Sequence, residues 1–404
     1  MSSPSACWVF STTSKRNSPI RNGTKAMAIL NEEQVMIRDS AKSWVSEKSP
    51  VTAFRAMRDS GNQDGFDARV WREMCETGWA GILVPEDFGG VGLGYQTLGL
   101  VLEETGRTLT ASPLVSTALV ATTALLLGGT DAQKSEWLPK FASGEVLGTL
   151  AVDEHAHHGP QQIALAAKKA GSGYVLNGKK IFVLDGGTAD LLIVAARTGG
   201  KQGDANGITL FLVPGDASGV TRTKLKMADS RGVASIAFDN VEVPADAVLG
   251  SVDQGFAILD ATLDRARAGL AAEMLGAAAQ SFDVTLEYLK TRTQFGQLIG
   301  AFQALQHRAA KMYTELELTR SCVEAALIGI DRGANDVPAL CSLAKGRASE
   351  LAHLVSNEMV QMHGGIGMTD AHDAGLYLKR ARAAEAAFGG ASFHRDRYAR
   401  LMGY

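Results

Sequence analysis

The chain of 404 residues has little cysteine. Its four thiols, Cys7, Cys75, Cys322 and Cys341, are far apart and form no Cys-x-x-Cys pair. That excludes a disulfide framework and a cysteine-built zinc site, and points to a reducing compartment. Long apolar runs are missing too. LVATTALLL, Leu119 to Leu127, is about half the length a bilayer-spanning helix needs. There is no excess of base: the net charge is −3, so no basic footprint argues for nucleic acid. Acid is missing from the start of the chain, where Lys15, Arg16, Arg21 and Lys25 precede the first carboxylate, Glu32. Such a segment reads as a transit peptide, as a disordered tail, or as an extension upstream of Met27. Residues 1–28 are therefore set apart from the fold. A cytoplasmic location is expected, or the mitochondrial matrix if the basic segment is a transit peptide. The rest is ordinary for a globular protein, 46% hydrophobic and 21% charged, and long enough for two or three domains.

Three segments carry different periods. In NEEQVMIRDSAKSWVSEK, Val35, Ile37, Ala41 and Val45 recur at helical spacing. Thr97–Thr108 and Pro113–Leu127 read as further helices, and VPEDFGGVGLG (Val84 to Gly94) as an irregular loop before them. From about Leu147 the period shortens. YVLNGKKIFVL (Tyr174 to Leu184) reads as two short strands joined at Asn177-Gly178, a strong hairpin signal. LLIVAAR, GITLFLV and ASIAFDNVEV follow at regular intervals. From Gly255 helical character returns in four segments, near 255–291, 301–332, 338–364 and 370–388. The order predicts an α+β chain: an N-terminal helical domain (29–148), a middle antiparallel β domain (149–250) and a C-terminal four-helix bundle (251–404).

Five stretches in this order resemble the acyl-CoA dehydrogenase family: GWAGILVPEDFGGVGLG (Gly78 to Gly94), YVLNGKKIFVLDGGTADLLIVAAR (Tyr174 to Arg197), VASIAFDNVEVPADAVLG (Val233 to Gly250), EYLKTRTQFGQLIGAFQALQH (Glu287 to His307) and QMHGGIGMTD (Gln361 to Asp370). The texture of the C-terminal part is similar to the bacterial branch that includes small subunits of two-component dehydrogenases. The resemblance implies non-covalent FAD, an acyl-CoA thioester substrate, electron-transfer flavoprotein as acceptor, and a homo-oligomer or a paralogous partner subunit. It places RTQFG and QMHGGIG at the FAD, partly across a subunit interface. Arg292 offers a planar cationic fork for a pyrophosphate, Phe295 an apolar face and Gln361 an amide. Gly364 and Gly365 permit close backbone approach.

At the flavin ring the chain departs from the family pattern. The usual Thr/Ser-Glu-Pro…Gly-Ser-Asp loop is AVDEHAHHGP here, so Val152, Asp153 and Glu154 are left to reach the flavin by backbone. His155, His157 and His158 read as solvated and not as a metal cluster. The usual Trp-Ile-Thr is Phe182-Val183-Leu184: the ring is kept and the hydroxyl is lost.

The family reaction needs a carboxylate over the thioester α-carbon. Counting from GGIG through YLKRAR puts that position at Phe388; the alternative position, before Arg267, is Ala266. Both lack a base. Asp264 and Glu385 are the nearest substitutes, although Asp264 lies about 200° round its helix from Ala266. Glu273 reads as a partner for an arginine. Four functions follow: an acyl-CoA dehydrogenase with an unusual base, an FAD-holding scaffold subunit of a heteromer, a flavin oxidase or monooxygenase on the same fold, and an FAD-free binding protein. The retained RTQFG and QMHGGIG motifs argue against the last.

Overall fold

A computed structural model describes residues 30–404; Cys7 and residues 1–28 lie outside them. The N-terminal unit holds α1 (Glu32–Lys48), α2 (Val51–Asp59), α3 (Ala68–Glu76), α4 (Gly94–Arg107), α5 (Thr122–Gly128) and α6 (Asp131–Ser143). Asn31 starts α1 with a reciprocal capping box to Gln34, and Thr130 starts α6 the same way with Gln133. A buried π-helical segment, Leu114–Ala121, runs directly into α5.

The middle unit is one sheet of β1 (Gly148–Ala151), β2 (Ala166–Ala170), β3 (Gly173–Leu184), β4 (Leu191–Arg197), β5 (Ile208–Pro214), β6 (Val220–Lys224), β7 (Val233–Pro244) and β8 (Val248–Leu249). Its order is β6-β7-β3-β2-β4-β5-β8, with β1 also on β4. The sheet is mixed, not purely antiparallel, because β1 and β2 both meet β4 in parallel. The expected hairpin at Asn177-Gly178 is absent. β3 runs through it, the pair forms a bulge against β7, and the turn falls at Gly171-Ser172 instead. Gly178 takes φ +147°, and a Cβ there would lie 2.9 Å from Leu165 Cα. Close approach at a bulge is thus the other meaning of an Asn-Gly pair in a strand.

The C-terminal unit is α7 (Gly255–Thr291), a two-stranded hairpin of β9 (Thr293–Gln294) and β10 (Gln297–Leu298), α8 (Gln303–Asp331), α9 (Val337–His363), α10 (Ala374–Ala386) and α11 (Ala391–Leu401). The bundle thus carries a fifth helix, α11, beyond the four expected. It is short, and most of its residues are charged or polar, so it lacks an apolar period. α7 is buried on nearly every side by an Ala- and Leu-rich sequence. It crosses α4 at two small residues: a Cβ on Gly276 would lie 1.8 Å from Glu103 O, and one on Gly106 2.0 Å from Glu273 O. Their hydrogens allow the backbones to touch, which fixes α7 against the N-terminal unit. Among the described residues no helix is long and apolar enough to cross a membrane.

Candidate active site

The three units meet around a cavity of about 370 Å³. Its mouth carries His155, Phe182 and Arg382; its deep end carries Ser116, Val120 and Asp229, all nearly fully buried. The end of α10 forms one wall and closes on Phe388. Phe388 borders the cavity with φ +56°, a left-handed conformation that costs a residue with a Cβ about 1–2 kcal/mol.

Buried donors hold that turn. Arg267 Nε and His394 Nε2 both donate to Phe388 O, at 3.3 and 3.1 Å. Lys345 Nζ donates to Gly389 O at 3.0 Å, and to Glu385 O and Ser349 Oγ at 3.2 Å. Burial brings the Lys345 ammonium down to about 7. Burial, with Lys345 and Arg267 nearby, brings the His394 imidazolium down to about 2, so His394 is neutral. Gly389 is required here, since a Cβ would lie 2.5 Å from the Phe393 ring.

The substitute bases lie elsewhere. Asp264 is buried between Arg267 Nη1 (2.9 Å) and Arg397 Nη1 (2.8 Å) and does not border the cavity. Glu385 accepts from Arg382 at 2.7 Å, faces His353, and is absent from the cavity walls as well. Ala266 is packed in the core. The carboxylates that do border the cavity, Asp153 and Asp229, are both engaged. Asp229 accepts from Arg380 Nε at 2.9 Å. Asp153 accepts from His158 Nδ1 at 2.9 Å, while Arg267 Nη2 donates to His158 Nε2 at 3.3 Å. These partners assign the neutral tautomer of His158. Its side chain is 4% exposed and packs edge-on to Phe393, so His158 is not solvated as expected. His155 and His157 are exposed. No cluster of three or more metal-ligating groups occurs among the described residues.

Of the flavin-ring candidates, Val152, Asp153, Phe182 and Leu184 border the cavity, and Glu154 does not. Glu154 accepts from the Ala164 and Leu165 backbone N–H groups and pairs with the fully buried Lys180. Burial lowers that ammonium to about 8. Val152 O accepts from Lys180 Nζ, Asp153 O from Ile181 N, and Leu184 O from the Thr149 hydroxyl at 2.5 Å. The Val152, Asp153 and Leu184 carbonyls are thus all used within the protein. The Phe182 ring remains half exposed at φ +52°.

Arg292, Phe295, Gln361, Gly364 and Gly365 come together at the far end of α7. Tyr288 at the end of α7 stacks on His363 at the end of α9, with ring centroids 4.4 Å apart. Arg292 and Gln361 are exposed, and Phe295 is 91% exposed on the β9–β10 hairpin. A Cβ on Gly364 or Gly365 would meet nothing within 4 Å, so the backbone there is open to a ligand. These features fit an anionic, ring-bearing nucleotide. From Leu270 at the cavity to Thr291, the α7 axis runs about 30 Å at 1.5 Å per residue. The two halves of the expected FAD site are therefore well separated on one chain.

Two charge clusters beside the site escaped the sequence reading as clusters, although Asp264, Arg267 and Glu273 were each singled out in it. One is the knot of Asp260, Asp264, Arg267 and Arg397; its signal is the i, i+4, i+7 spacing on α7. The other underlies the deep end: Glu273 accepts from Arg231 Nη2 at 3.0 Å and from Arg380 Nη1 at 3.4 Å, beside Asp229. Glu273 as an arginine partner was legible, but Arg231 comes from a loop and left no signal.

A helical unit, a mixed sheet and a helical bundle around such a cavity define the three-domain architecture of flavin-dependent acyl thioester oxidoreductases. Residues 31–145, 155–241 and 253–403 match the acyl-CoA dehydrogenase N-terminal, middle and C-terminal domains, and the chain belongs to that FAD-dependent family. It is 33% identical over 376 residues to mitochondrial isovaleryl-CoA dehydrogenase of Arabidopsis thaliana, covering 91% of this chain and 90% of the relative. Among solved structures, butyryl-CoA dehydrogenase of Megasphaera elsdenii aligns with a TM-score of 0.86 at 26% identity, over 93% of this chain and 100% of that one. A chain of the ChsE4-ChsE5 complex of Mycobacterium tuberculosis aligns with a TM-score of 0.83 at 26% identity, over 93% and 98%.

Proposed function

We propose that this chain is one subunit of a heteromeric, FAD-dependent acyl-CoA dehydrogenase, and that a paralogous partner takes the thioester α-proton. The observation that carries this reading is Phe388. A side chain without a proton-accepting atom borders the cavity where the family resemblance expects the base, and Arg267 and His394 already occupy its carbonyl. FAD, when bound, accepts the β-hydrogen as hydride. This chain's part is to hold the nucleotide: Arg292 binds the pyrophosphate, Phe295 covers an apolar face, and Gly364-Gly365 lets the backbone approach. The similarity to a chain of a two-protein complex supports the heteromer. Electron-transfer flavoprotein is the proposed acceptor.

The test is to purify the chain alone and with a co-expressed paralogue, measure FAD per chain, and titrate both anaerobically with straight-chain, branched and dicarboxylic acyl-CoA esters. Bleaching only in the co-expressed complex supports the reading. A second reading, turnover by the lone chain, is favoured by Asp153, which borders the cavity with 23% of its side chain exposed. Bleaching of the lone chain that Asp153→Asn abolishes would establish it.

A further inference from the structure

The deep end of the cavity is built for something other than an alkyl chain. Arg231 borders it with a side chain nine-tenths buried, and its one side-chain hydrogen bond among the described residues is from Nη2 to Glu273. Arg380 borders the same cavity, 95% buried, and its Nη2 has no acceptor among the described residues. Buried donors are normally satisfied, and an orphaned guanidinium N–H in an apolar pocket is costly. Arg380 Nη2 is such a donor, and Arg231, with a single side-chain hydrogen bond, converges on the same end. The charges of Arg231 and Arg380 are balanced by Asp229 and Glu273. Ser116, which also borders this cavity, donates to Asp185 at 2.6 Å. Burial raises the Asp185 carboxyl to about 6. A ligand carboxylate at this end would meet Arg231 and Arg380 with donors to spare.

We propose that this cavity binds acyl thioesters whose far end carries an oxygen acceptor, a carboxylate or carbonyl, received by Arg231 and Arg380. The inference rests on the family's acyl thioester chemistry, not on whether this chain performs the proton transfer. It makes Arg231 a specificity residue.

The test compares octanoyl-CoA with its ω-carboxylated counterpart by anaerobic calorimetric titration of the full chain, or of its complex if a partner co-purifies. A hydrogen bond to a charged group predicts that the carboxylated ester binds roughly tenfold tighter or more. Arg231→Met is expected to erase that preference. Because it leaves Glu273 with one partner fewer, Arg231→Met/Glu273→Gln removes one charge of each sign and serves if the single variant misfolds. Equal affinity in the wild type, no binding of either ester, or a preference kept in the folded double variant would overturn the proposal. Flavin absorbance is followed in the same titration. Bleaching of the lone chain would defeat the partner reading and leave the affinity comparison intact.

Discussion

Replacing Lys345 with methionine probes the clamp behind Phe388. Burial penalises the charge of the wild-type ammonium and brings it down to about 7 from the ordinary 10.5 of a lysine. From pH 7 towards 10 the folded chain releases this proton while the unfolded chain keeps it. Unfolding therefore takes up a proton, and stability rises with pH through this window. At its steepest, one proton contributes about 1.4 kcal/mol per pH unit. Methionine removes that slope. It also strands Glu385 O and Gly389 O, at about 1–3 kcal/mol for each buried acceptor left unpaired. The variant is expected to be less stable by about 2–4 kcal/mol at pH 9 and by less at pH 7, where removing the buried charge offsets part of the loss. Lys180 titrates in both proteins and cancels in the difference. The assay is urea unfolding followed by tryptophan fluorescence at pH 7, 8 and 9. Parallel stability–pH curves for the two proteins would refute a buried, titrating Lys345.

Asp185 gives the opposite sign. Its carboxyl is raised to about 6 from 3.8, so its contribution to stability falls as pH rises through 4 to 6. Asp185→Asn should gain stability over wild type across that interval and hold the gain above it, read as thermal midpoints at pH 4, 5, 6 and 7. Gly276→Ala pushes a methyl against Glu103 O; overpacking of about 1–3 kcal/mol outweighs the roughly 1 kcal/mol that alanine gains in a helix. A lower thermal midpoint is expected, and an unchanged one would mean that the α4–α7 crossing yields. Arg292→Gln lies on an exposed hairpin. It should lower the FAD retained per chain after gel filtration while leaving circular dichroism unchanged.

Much of the architecture was legible because period and burial agree. The α1 stripe of Ala41 and Val45 is buried, and the β4 and β5 runs are buried almost throughout. The Asn-Gly pair misled because local turn chemistry cannot tell a hairpin from a bulge, and the β7 partner that decides it lies about sixty residues on. α11 escaped because ion pairs and ring contacts dock it. Arg397 reaches Asp260 and Asp264, and Phe393 lies against Arg267 and His158. Phe388 was found by counting from a motif. Its surroundings were not, because Lys345, His394 and Arg267 are brought together from three different helices. Arg231 was missed for the same reason: its partner Glu273 is 42 residues away on another unit.

The most direct measurement is anaerobic flavin bleaching by the acyl-CoA panel, made on the chain alone and on the chain with its paralogue. The account predicts that no ester bleaches flavin bound to the lone chain, and that the complex bleaches rapidly with at least one. Rapid bleaching of the lone chain would contradict it, and would mean that a carboxylate other than one at position 388 takes the proton.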